Sequence, residues 1–291
     1  MQKWLQGIPY EVAFWNSVYA NKRELKALFS WSSLNKEIHL SGFDVTNFLN
    51  QQDAPIVLDV GAGLSFAPGN LMIRNGSLDP INIHYIDPLA HFFNTIARKN
   101  KVQVPLVEFG MMEYLSAFYP NKDVSLIIIQ NALDHSSNPI KGILESIECL
   151  TDGGVLYLNH HLNEAEFENY RGFHQFNIDI RQTDLVIWNK HDEFNVSKML
   201  ADFADVNALM VDGAPIAIIT KKTEVPKEFI TDKEDIRYLC TEVLEYAETM
   251  SNFQTTFIFQ IKYLWFSCVQ WVCRYLSADF KRKIKDILRK L

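Results

Sequence analysis

Glycine and acidic residues follow two predicted strands, at positions where a nucleoside-containing ligand could be held. Gly61 and Gly63 end the apolar run Val57-Leu-Asp-Val60, and glycine permits a tight turn and close approach of the backbone to a ligand. Asp87 ends the next run, 28 residues after Asp59. Its carboxylate has two oxygens, which can accept hydrogen bonds from both hydroxyls of a ribose. The spacing suits a strand, a helix and a second strand, and it predicts a cofactor site at the strand ends.

Two classes of cofactor share this layout. A dinucleotide site uses Gly-x-Gly-x-x-Gly so that the pyrophosphate rests on a helix N-terminus, but the third glycine position holds Phe66. Asp59, directly before the turn, is unfavourable to a pyrophosphate and suits a cationic cofactor that bears a free amine. We therefore expect a cationic cofactor. The alternative is a dinucleotide cofactor, which would make the protein a nucleotide-dependent sugar oxidoreductase.

Histidines follow the later predicted strands and decide the type of reaction. His135 follows the fourth strand, His161 follows the fifth, and His174 lies in an acidic segment beyond it. All three are expected to meet at the carboxyl edge of the sheet, where a histidine of near-neutral pKa can accept a proton from a hydroxyl. We predict them as the catalytic residues. The simpler interpretation of His135 is that it braces its loop.

A metal site is a second interpretation of the same region. Imidazole and carboxylate ligands there would suit magnesium, manganese or zinc, although a solvated acidic loop explains the glutamates equally well, and no metal is our preferred expectation. The candidate ligands are Asp134, His160, His161, Glu164, Glu166, Glu168 and His174.

The elements that must position these residues form an alternating pattern. Near-continuous apolar strands separated by helices indicate a parallel sheet that is covered on both faces, and Asp212-Gly213 indicates a hairpin between residues 206–211 and 215–219. The fold class is therefore α/β, with a doubly wound, mostly parallel sheet that binds ligands at the strand ends. The predicted strands are 55–60, 81–86, 102–107, 124–129 and 154–158, and the predicted helices are near 65–76, 88–100, 111–119 and 138–150.

Three regions that differ in composition and hydrophobic pattern predict the domain organisation. Residues 1–50 are aromatic-rich and are predicted to form a helical lid over the cofactor. Residues 51–222 form the cofactor-binding core, and residues 223–291 form a helical extension with a basic amphipathic tail. The helical spacing of Phe14, Trp15 and Tyr19 favours plain packing over stacking on a sugar.

The motifs together resemble a known family. The runs Leu58-Asp-Val-Gly-Ala-Gly63 and Ile86-Asp-Pro88, with a polar end to the fourth strand, resemble class I S-adenosylmethionine-dependent methyltransferases over roughly residues 50–221. The resemblance implies glycines beneath the methionine part of S-adenosylmethionine, Asp59 near its amino group and Asp87 on its ribose. The cofactor-binding residues that it implies are Asp59, Gly61, Ala62, Gly63, Asp87, Pro88, Met112, Glu113 and Asn131.

The sequence departs from the family pattern at two positions. Met111 occupies the position usual for an adenine-binding aspartate, so the resemblance implies that Glu113 and the backbone of Met112 replace it. Ser65 replaces the third glycine of the family's loop.

Three longer runs resemble a narrower subgroup, often associated with bacterial surface-polysaccharide genes. The subgroup implies O-methylation of a glycan hydroxyl or an acidic sugar, with a glycan or small molecule as acceptor. A non-catalytic, membrane-associated assembly factor with the same fold is a further alternative. The runs are Tyr85-Ile-Asp-Pro-Leu-Ala90, Gln130-Asn-Ala-Leu-Asp-His-Ser136 and residues 163–177.

Charge and composition limit the partners. The chain has 291 residues and a net charge of −7, which argues against nucleic acid as the main partner. Its four cysteines form no CxxC pair, and the N-terminus lacks the apolar run of a signal peptide. A cytoplasmic protein is therefore expected.

The C-terminal region differs sharply from the rest of the chain. Residues 281–291 hold six basic residues and one acidic residue, a net +5, so the other 280 residues sum to −12. Residues 257–276 form a predicted helix with a broad apolar face. We expect residues 257–291 to bind an anionic membrane surface on its cytoplasmic side. Burial on the core or in a homodimer, and a membrane-spanning helix, are the alternatives.

Overall fold

The computed structural model describes residues 2–31, 34–74, 76–170, 172–230, 257–276 and Phe280. The strands are β1 (Val57–Val60), β2 (Leu71–Arg74), β3 (Ser77–Pro80), β4 (Ile83–Asp87), β5 (Val107–Phe109), β6 (Val124–Gln130), β7 (Leu150–Asn159), β8 (Asn177–Arg181), β9 (Asp184–Trp188), β10 (Glu193–Asn195), β11 (Ala204–Val211) and β12 (Ala214–Lys221). The helices are α1 (Gln2–Ala20), α2 (Lys22–Trp31), α3 (Val45–Asn50), α4 (Ala90–Lys99), α5 (Leu115–Phe118), α6 (Pro139–Cys149), α7 (Glu164–Phe167), α8 (Val196–Leu200) and α9 (Phe257–Arg274).

A seven-stranded sheet organises the molecule. Its order is β11-β12-β7-β6-β1-β4-β5, and β5, β4, β1, β6 and β7 run parallel. The hairpin partners β11 and β12 are antiparallel to each other, and β12 is antiparallel to β7. Six of the seven residues of β6 are buried, as its unbroken apolar run predicts for a strand covered on both faces. The predicted doubly wound α/β fold and its closing hairpin are confirmed.

The chain leaves β1 for β4 on one side of the sheet and returns to β6 on the other. This reversal of strand order leaves a crevice at the carboxyl ends of β1, β4 and β6, where open α/β sheets bind their ligands. Two predicted helices flank the sheet close to their expected bounds, as α4 and α6. Asn138 caps α6 through a 3.0 Å hydrogen bond from the amide of Lys141, and Pro139 begins the helix.

Some local predictions are wrong. The expected helix at 65–76 is instead a turn followed by the two-stranded hairpin of β2 and β3. Gly69 and Gly76 have φ of +88° and +81°, which a continuous α-helix cannot accommodate. The strand expected at 102–107 is reduced to β5, which begins only at Val107, because Pro105 lacks the N–H that a ladder needs. The helix expected at 111–119 is a 3₁₀ turn followed by the short α5.

The acidic segment after β7 continues into an insertion whose sheet was not predicted. Its strands form a separate three-stranded antiparallel sheet in the order β10-β9-β8. The segment between α7 and β8 carries Phe173 and His174 back towards the end of β6, where the amide of Gln175 donates a 3.2 Å hydrogen bond to the carbonyl of Asp134. The insertion thereby builds one wall of the crevice.

Helices from both ends of the chain pack together beside the sheet. The N-terminal α1 contacts α2, α4 and α9, and the Asn16 side-chain amide donates a hydrogen bond of 2.5 Å to the Tyr263 hydroxyl of α9. None of the helices in the described ranges is long and apolar enough to cross a membrane. The basic tail at 281–291 lies outside the described residues, and the three-part domain division stays a prediction.

Candidate functional site

A cavity of about 1270 Å³ opens at the carboxyl ends of β1, β4 and β6. Its walls come from the strand ends, from α1, from the insertion and from one residue of α9. Ten of the twelve predicted site residues line it, and Asp59 and His161 do not. The ten are Gly61, Ala62, Gly63, Asp87, Pro88, Met112, Glu113, Asn131, His135 and His174.

The glycine turn after β1 forms the floor of this cavity. Gly61 and Gly63 have φ of +73° and +54°, the left-handed region that favours glycine. The amide of Gly61 donates a 2.8 Å hydrogen bond to the carbonyl of Ile86, and the amide of Gly63 donates one of 3.1 Å to Oδ2 of Asp87. These bonds fix the turn against the end of β4.

The packing of the protein itself requires glycine at position 61, whether or not a ligand is bound. A Cβ added there would collide with the Cβ of Ala132. We expect Gly61→Ala to lower the free energy of unfolding by about 1–3 kcal/mol through the forced shift, beyond the strain of its backbone conformation. Gly153→Ala is the matched control, because Gly153 has the same φ of +73° and no atom within 4 Å of an added Cβ. Chemical denaturation of both variants measures the difference, and equal losses would contradict the packing argument.

Backbone amides hold both carboxylate oxygens of Asp87. Its Oδ1 accepts a 2.8 Å hydrogen bond from the amide of Leu89, while its Oδ2 accepts from Gly63. Burial raises the pKa of Asp87 above its ordinary value, and these amide bonds offset only part of that rise. The free site therefore holds a carboxylate whose ionisation costs energy until a suitable ligand compensates it.

Asp59 lies deeper than the sequence predicted. It is only 3% exposed on β1, opposite Tyr85 of β4, and its Oδ2 has no hydrogen-bond partner among the described residues. Burial, and then the charge of Asp87, raise the pKa of Asp59. Asp59 therefore lies behind the wall of the cavity and is not part of its lining.

The far end of the cavity is formed by the turn after β5. Met112 and Glu113 are both buried, and Oε1 of Glu113 accepts hydrogen bonds of 2.7 and 2.8 Å from the amide and hydroxyl of Ser137. One carboxylate oxygen of Glu113 is thereby committed to the protein. Pro88 and Leu89 line the cavity beside them.

Asn131 adopts a left-handed conformation, with φ of +49°, at the end of β6. Its Oδ1 accepts a 2.9 Å hydrogen bond from the amide of His161. The structure thus connects His161 to the site through its backbone, while the exposed His161 side chain lies outside the cavity lining.

Asp134, His135 and His174 form a compact polar cluster at one wall. Nδ1 of His174 donates a 2.7 Å hydrogen bond to Oδ2 of Asp134, and it lies 3.2 Å from Nε2 of His135. Oδ2 of Asp134 lies 3.5 Å from the same His135 nitrogen. His135 and His174 are 39 residues apart in sequence, and the structure brings their side chains together as predicted.

The charges of this cluster support one another. Burial would raise the pKa of Asp134, but the charge of His135 and the hydrogen bond from His174 outweigh burial and lower the pKa to about 2. Burial would lower the pKa of His174, but the hydrogen bond to Asp134 and the charge of Asp134 more than offset burial, so the pKa of His174 is raised. Asp134 is thus an ionised carboxylate that orients the imidazole of His174 and raises its pKa.

His160 is a buried neighbour that the catalytic prediction left out. It is 2% exposed, and neither ring nitrogen has a hydrogen-bond partner among the described residues. Burial lowers the pKa of His160 to about 4, so its ring is neutral at pH 7. Within the described residues, the group able to hold a metal ion is Asp134, His135 and His174. Of the ligands weighed from the sequence, this group includes Asp134 and His174.

The N-terminal helix supplies a wall that sequence reasoning described only as a lid. Trp15 and Tyr19 are buried as predicted for packing, but the prediction is wrong for Phe14, which is 39% exposed; Phe14 and Trp15 both line the cavity. The ring of Trp4 stacks on Phe173 of the insertion at 5.4 Å between centroids. Positions 4, 7, 11 and 14 follow one helical face, a spacing that could have revealed this wall. The α1 residues that line the cavity are Trp4, Gly7, Tyr10, Glu11, Phe14 and Trp15.

No family model and no curated protein sequence matches the chain. Several solved structures are similar to part of the chain. A S-adenosylmethionine-dependent methyltransferase from Aquifex aeolicus is 14% identical over 62% of this chain and 90% of its own, with a TM-score of 0.37. The 16S rRNA N2 G1207 methyltransferase of T. thermophilus is 14% identical over 66% of this chain and 42% of its own, with a TM-score of 0.34.

A third solved structure is an O-methyltransferase family protein from Burkholderia thailandensis, 12% identical over 64% of this chain and 55% of its own, with a TM-score of 0.37. With the sheet order described above, the chain has the doubly wound, mostly parallel α/β architecture that its motifs predicted.

Proposed function

We propose that this protein transfers a methyl group from S-adenosylmethionine to an oxygen of a small acceptor. One observation carries the proposal: a single cavity is lined both by the glycine turn and Asp87 and by His135 and His174 of the Asp134–His135–His174 cluster. A cofactor site and a proton-accepting group therefore face the same space, as a two-substrate transfer requires.

The charge of the cavity supports a cationic cofactor. Asp87 and Glu11 line it, and Asp59 lies buried behind it with one unpartnered oxygen. A sulfonium with its free amine would stabilise these carboxylates, whereas a pyrophosphate would be repelled. In this proposal Asp87 holds the ribose, and the turn from Gly61 to Gly63 packs against the methionine part.

Pro88 and Met112 would then enclose the adenine, and Asn131 would lie at the methionine end of the cofactor. Glu113 has one oxygen left for the adenine, because Ser137 occupies the other. Asp59 would act on the cofactor's amino group by its charge.

The proposed reaction is an in-line displacement at carbon. An oxygen lone pair of the acceptor forms the bond to the methyl carbon, the bond from that carbon to sulfur breaks, and its electron pair goes to sulfur. The hydroxyl proton goes to Nε2 of His174, because Nδ1 carries the proton that is donated to Asp134. His135, beside this ring, completes the acceptor end.

Calorimetry tests the cofactor directly. We expect S-adenosylhomocysteine, the demethylated product, to bind in the micromolar range and NAD⁺ not to bind. Tight NAD⁺ binding would instead support the sugar oxidoreductase. Cofactor binding without methyl transfer in any cell extract would favour the non-catalytic assembly factor.

The walls beyond the cofactor support a polar, ring-shaped acceptor such as a sugar. Trp4, Tyr170 and Phe173 offer aromatic faces, while Gln130 and Asn159 add amide donors and acceptors to the same cavity. A glycan hydroxyl or an acidic sugar of surface-polysaccharide synthesis is the acceptor that we propose. Mass spectrometry would detect the gain of one methyl on such glycans, and methylation confined to nucleic acid would contradict this choice.

The exposed face of α9 supports attachment to an anionic membrane. Large apolar side chains project to solvent along this helix, including Leu264, Trp265 and Trp271. Aromatic residues suit the membrane interface, and the +5 segment at 281–291 follows them on an otherwise acidic chain. Trp265 also lines the cavity, so a membrane bound by α9 would lie near the cavity mouth. We propose that the protein works on the cytoplasmic side of the membrane, where lipid-linked glycans are within reach.

Liposome flotation tests this attachment. We expect the full chain to float with anionic vesicles at low salt and to be released at 1 M salt, where the Debye length is about 3 Å. A version ending at Ala278 should lose most of this binding, because each basic residue near the surface contributes about 1 kcal/mol. Neutral vesicles are the control. Equal flotation of the two chains would contradict the proposal, and a concentration-dependent dimer through α9 would then be preferred.

A further inference from the structure

We propose that Asp134, His135 and His174 form a binding site for one divalent transition-metal ion of the zinc type, which holds the acceptor hydroxyl during transfer. The three ligand atoms are Oδ2 of Asp134, Nε2 of His135 and Nδ1 of His174, and all lie within 4.8 Å of one another. The proposal that an ion binds depends only on these three side chains. Its consequence for methyl transfer rests on the proposed function.

The distances within the cluster match ligation of a single ion. Zinc binds imidazole nitrogen and carboxylate oxygen at about 2.0–2.1 Å, so two ligands at angles of 90–110° lie about 2.9–3.4 Å apart. The two histidine nitrogens are 3.2 Å apart, inside this range, and Asp134 Oδ2 lies 2.7 and 3.5 Å from them, just outside its two limits. One ion can therefore replace the hydrogen-bonding proton between these atoms with little movement of the side chains.

The ligand types select the class of metal. Two imidazoles with one carboxylate suit zinc, iron, cobalt or nickel, whereas magnesium and calcium favour sites built from oxygen alone. Three protein ligands leave at least one coordination position open, as catalytic zinc sites do. Both histidines line the cavity, so the open position is available to a ligand there.

The backbone preorganises the three side chains. Asp134 and His135 belong to the 3₁₀ turn after β6, while His174 comes from the insertion. The amide of Gln175 bonds to the carbonyl of Asp134 at 3.2 Å and fixes the two segments together. The Phe173 ring lies 5.6 Å from that of His135, between centroids. The Asp134 side chain is 6% exposed and each histidine side chain about a quarter exposed, so the cluster is partly accessible through its histidines.

The ion would change the chemistry of the acceptor end. A bound hydroxyl loses its proton at lower pH than a free one, because the ion stabilises the oxyanion. In the metal-free protein His174 accepts the proton, as in the proposed function. With the ion in place both rings are ligands, and the proton leaves the ion-bound hydroxyl for water.

The test is a Zn²⁺ titration of the chelator-treated full chain, without cofactor or acceptor. We expect one equivalent of Zn²⁺ to bind. Co²⁺ bound at the same site should give a visible absorption band. His135→Ala, His174→Ala and Asp134→Asn should each weaken binding at least tenfold. His191→Ala is the control, because His191 is exposed in the turn between β9 and β10 and lies outside the cavity lining.

S-adenosylhomocysteine binding and thermal unfolding of each variant show whether it remains folded, and His135→Gln provides a milder change. Zn²⁺ affinity that is unchanged in the folded variants would overturn the metal site, as would the absence of a one-to-one complex. Failure of S-adenosylhomocysteine to bind, with Zn²⁺ still binding to the cluster, would instead reject the proposed function and leave the metal site standing.

Discussion

Replacement of Asp87 by alanine is expected to weaken S-adenosylhomocysteine binding by at least a hundredfold. Two charge-assisted hydrogen bonds to ribose hydroxyls are worth about 1.5–3 kcal/mol each, and a factor of ten in affinity corresponds to about 1.4 kcal/mol. Calorimetry measures the loss. Asp205→Ala is the matched control, because the Asp205 carboxylate lies on β11, at the edge of the sheet, and pairs with Lys222 at 3.1 Å.

Asp87→Asn separates binding from folding. The alanine variant leaves the amides of Gly63 and Leu89 without their acceptor, whereas asparagine retains one side-chain oxygen. We expect the asparagine variant to remain folded by thermal unfolding and still to lose most of its affinity, because the charge is gone. Affinity equal to that of the unaltered protein in a folded Asp87→Asn variant would contradict the assignment of Asp87 to the cofactor.

The same carboxylates predict the pH dependence of cofactor affinity. Burial raises the pKa of Asp87 and of Asp59 in the free protein, and a cationic cofactor needs both ionised. Binding must then release protons at acid pH, so affinity rises with pH until the raised pKa values are passed. An ordinary aspartate, with a pKa of about 4, would give a flat profile above about pH 6. We expect a rise between pH 6 and 8 that is smaller in Asp87→Asn.

Replacement of His174 by alanine is expected to lower turnover by about a hundredfold or more, the usual contribution of a general base. S-adenosylhomocysteine affinity should stay within about twofold, because His174 lies at the acceptor end of the cavity and contacts Asp134 and His135 rather than the glycine turn. Rate measurements at saturating cofactor, beside calorimetry, separate the two effects.

His191→Ala is again the control, as an exposed histidine away from the cavity. Near-normal turnover in a folded His174→Ala variant would remove the cluster from catalysis. A parallel loss of turnover and cofactor affinity would show that His174 acts on the whole site rather than on the acceptor.

The cofactor end of the site was largely predictable from the chain itself. The apolar run of β1, the glycines after it and the aspartate ending β4 depend on local periodicity and turn chemistry, which act between neighbours in sequence. Parallel strands end at one sheet edge, so Gly61 and Asp87 had to meet once both strands formed. The same rule brought His135 towards the later histidines.

Prediction failed where a contact between distant segments overrode a local sequence pattern. The segment at 65–76 contains enough apolar residues for a helix, but Gly69 adopts a positive φ and packs so closely that an added Cβ would lie 2.7 Å from the carbonyl oxygen of Glu37. That contact joins residues distant in sequence and is invisible to periodicity. The three-stranded sheet of the insertion escaped for a similar reason: β9 carries the apolar run Leu185-Val-Ile-Trp188, but periodicity does not show that β8, β9 and β10 pair with each other rather than with the main sheet.

The amino-acid sequence by itself determined the α/β class, the order of the main elements and the acidic, glycine-lined part of the cavity. Only the tertiary structure decided which histidines share the cavity. His160 and His161 are neighbours, yet His160 is buried and bonded through its amide to Pro215 of β12, while the His161 side chain is exposed. The tertiary structure also brought α1 to the cavity and Asp134 against His174. Side-chain direction at a strand end, and contacts between distant segments, depend on the packing of the whole chain rather than on spacing.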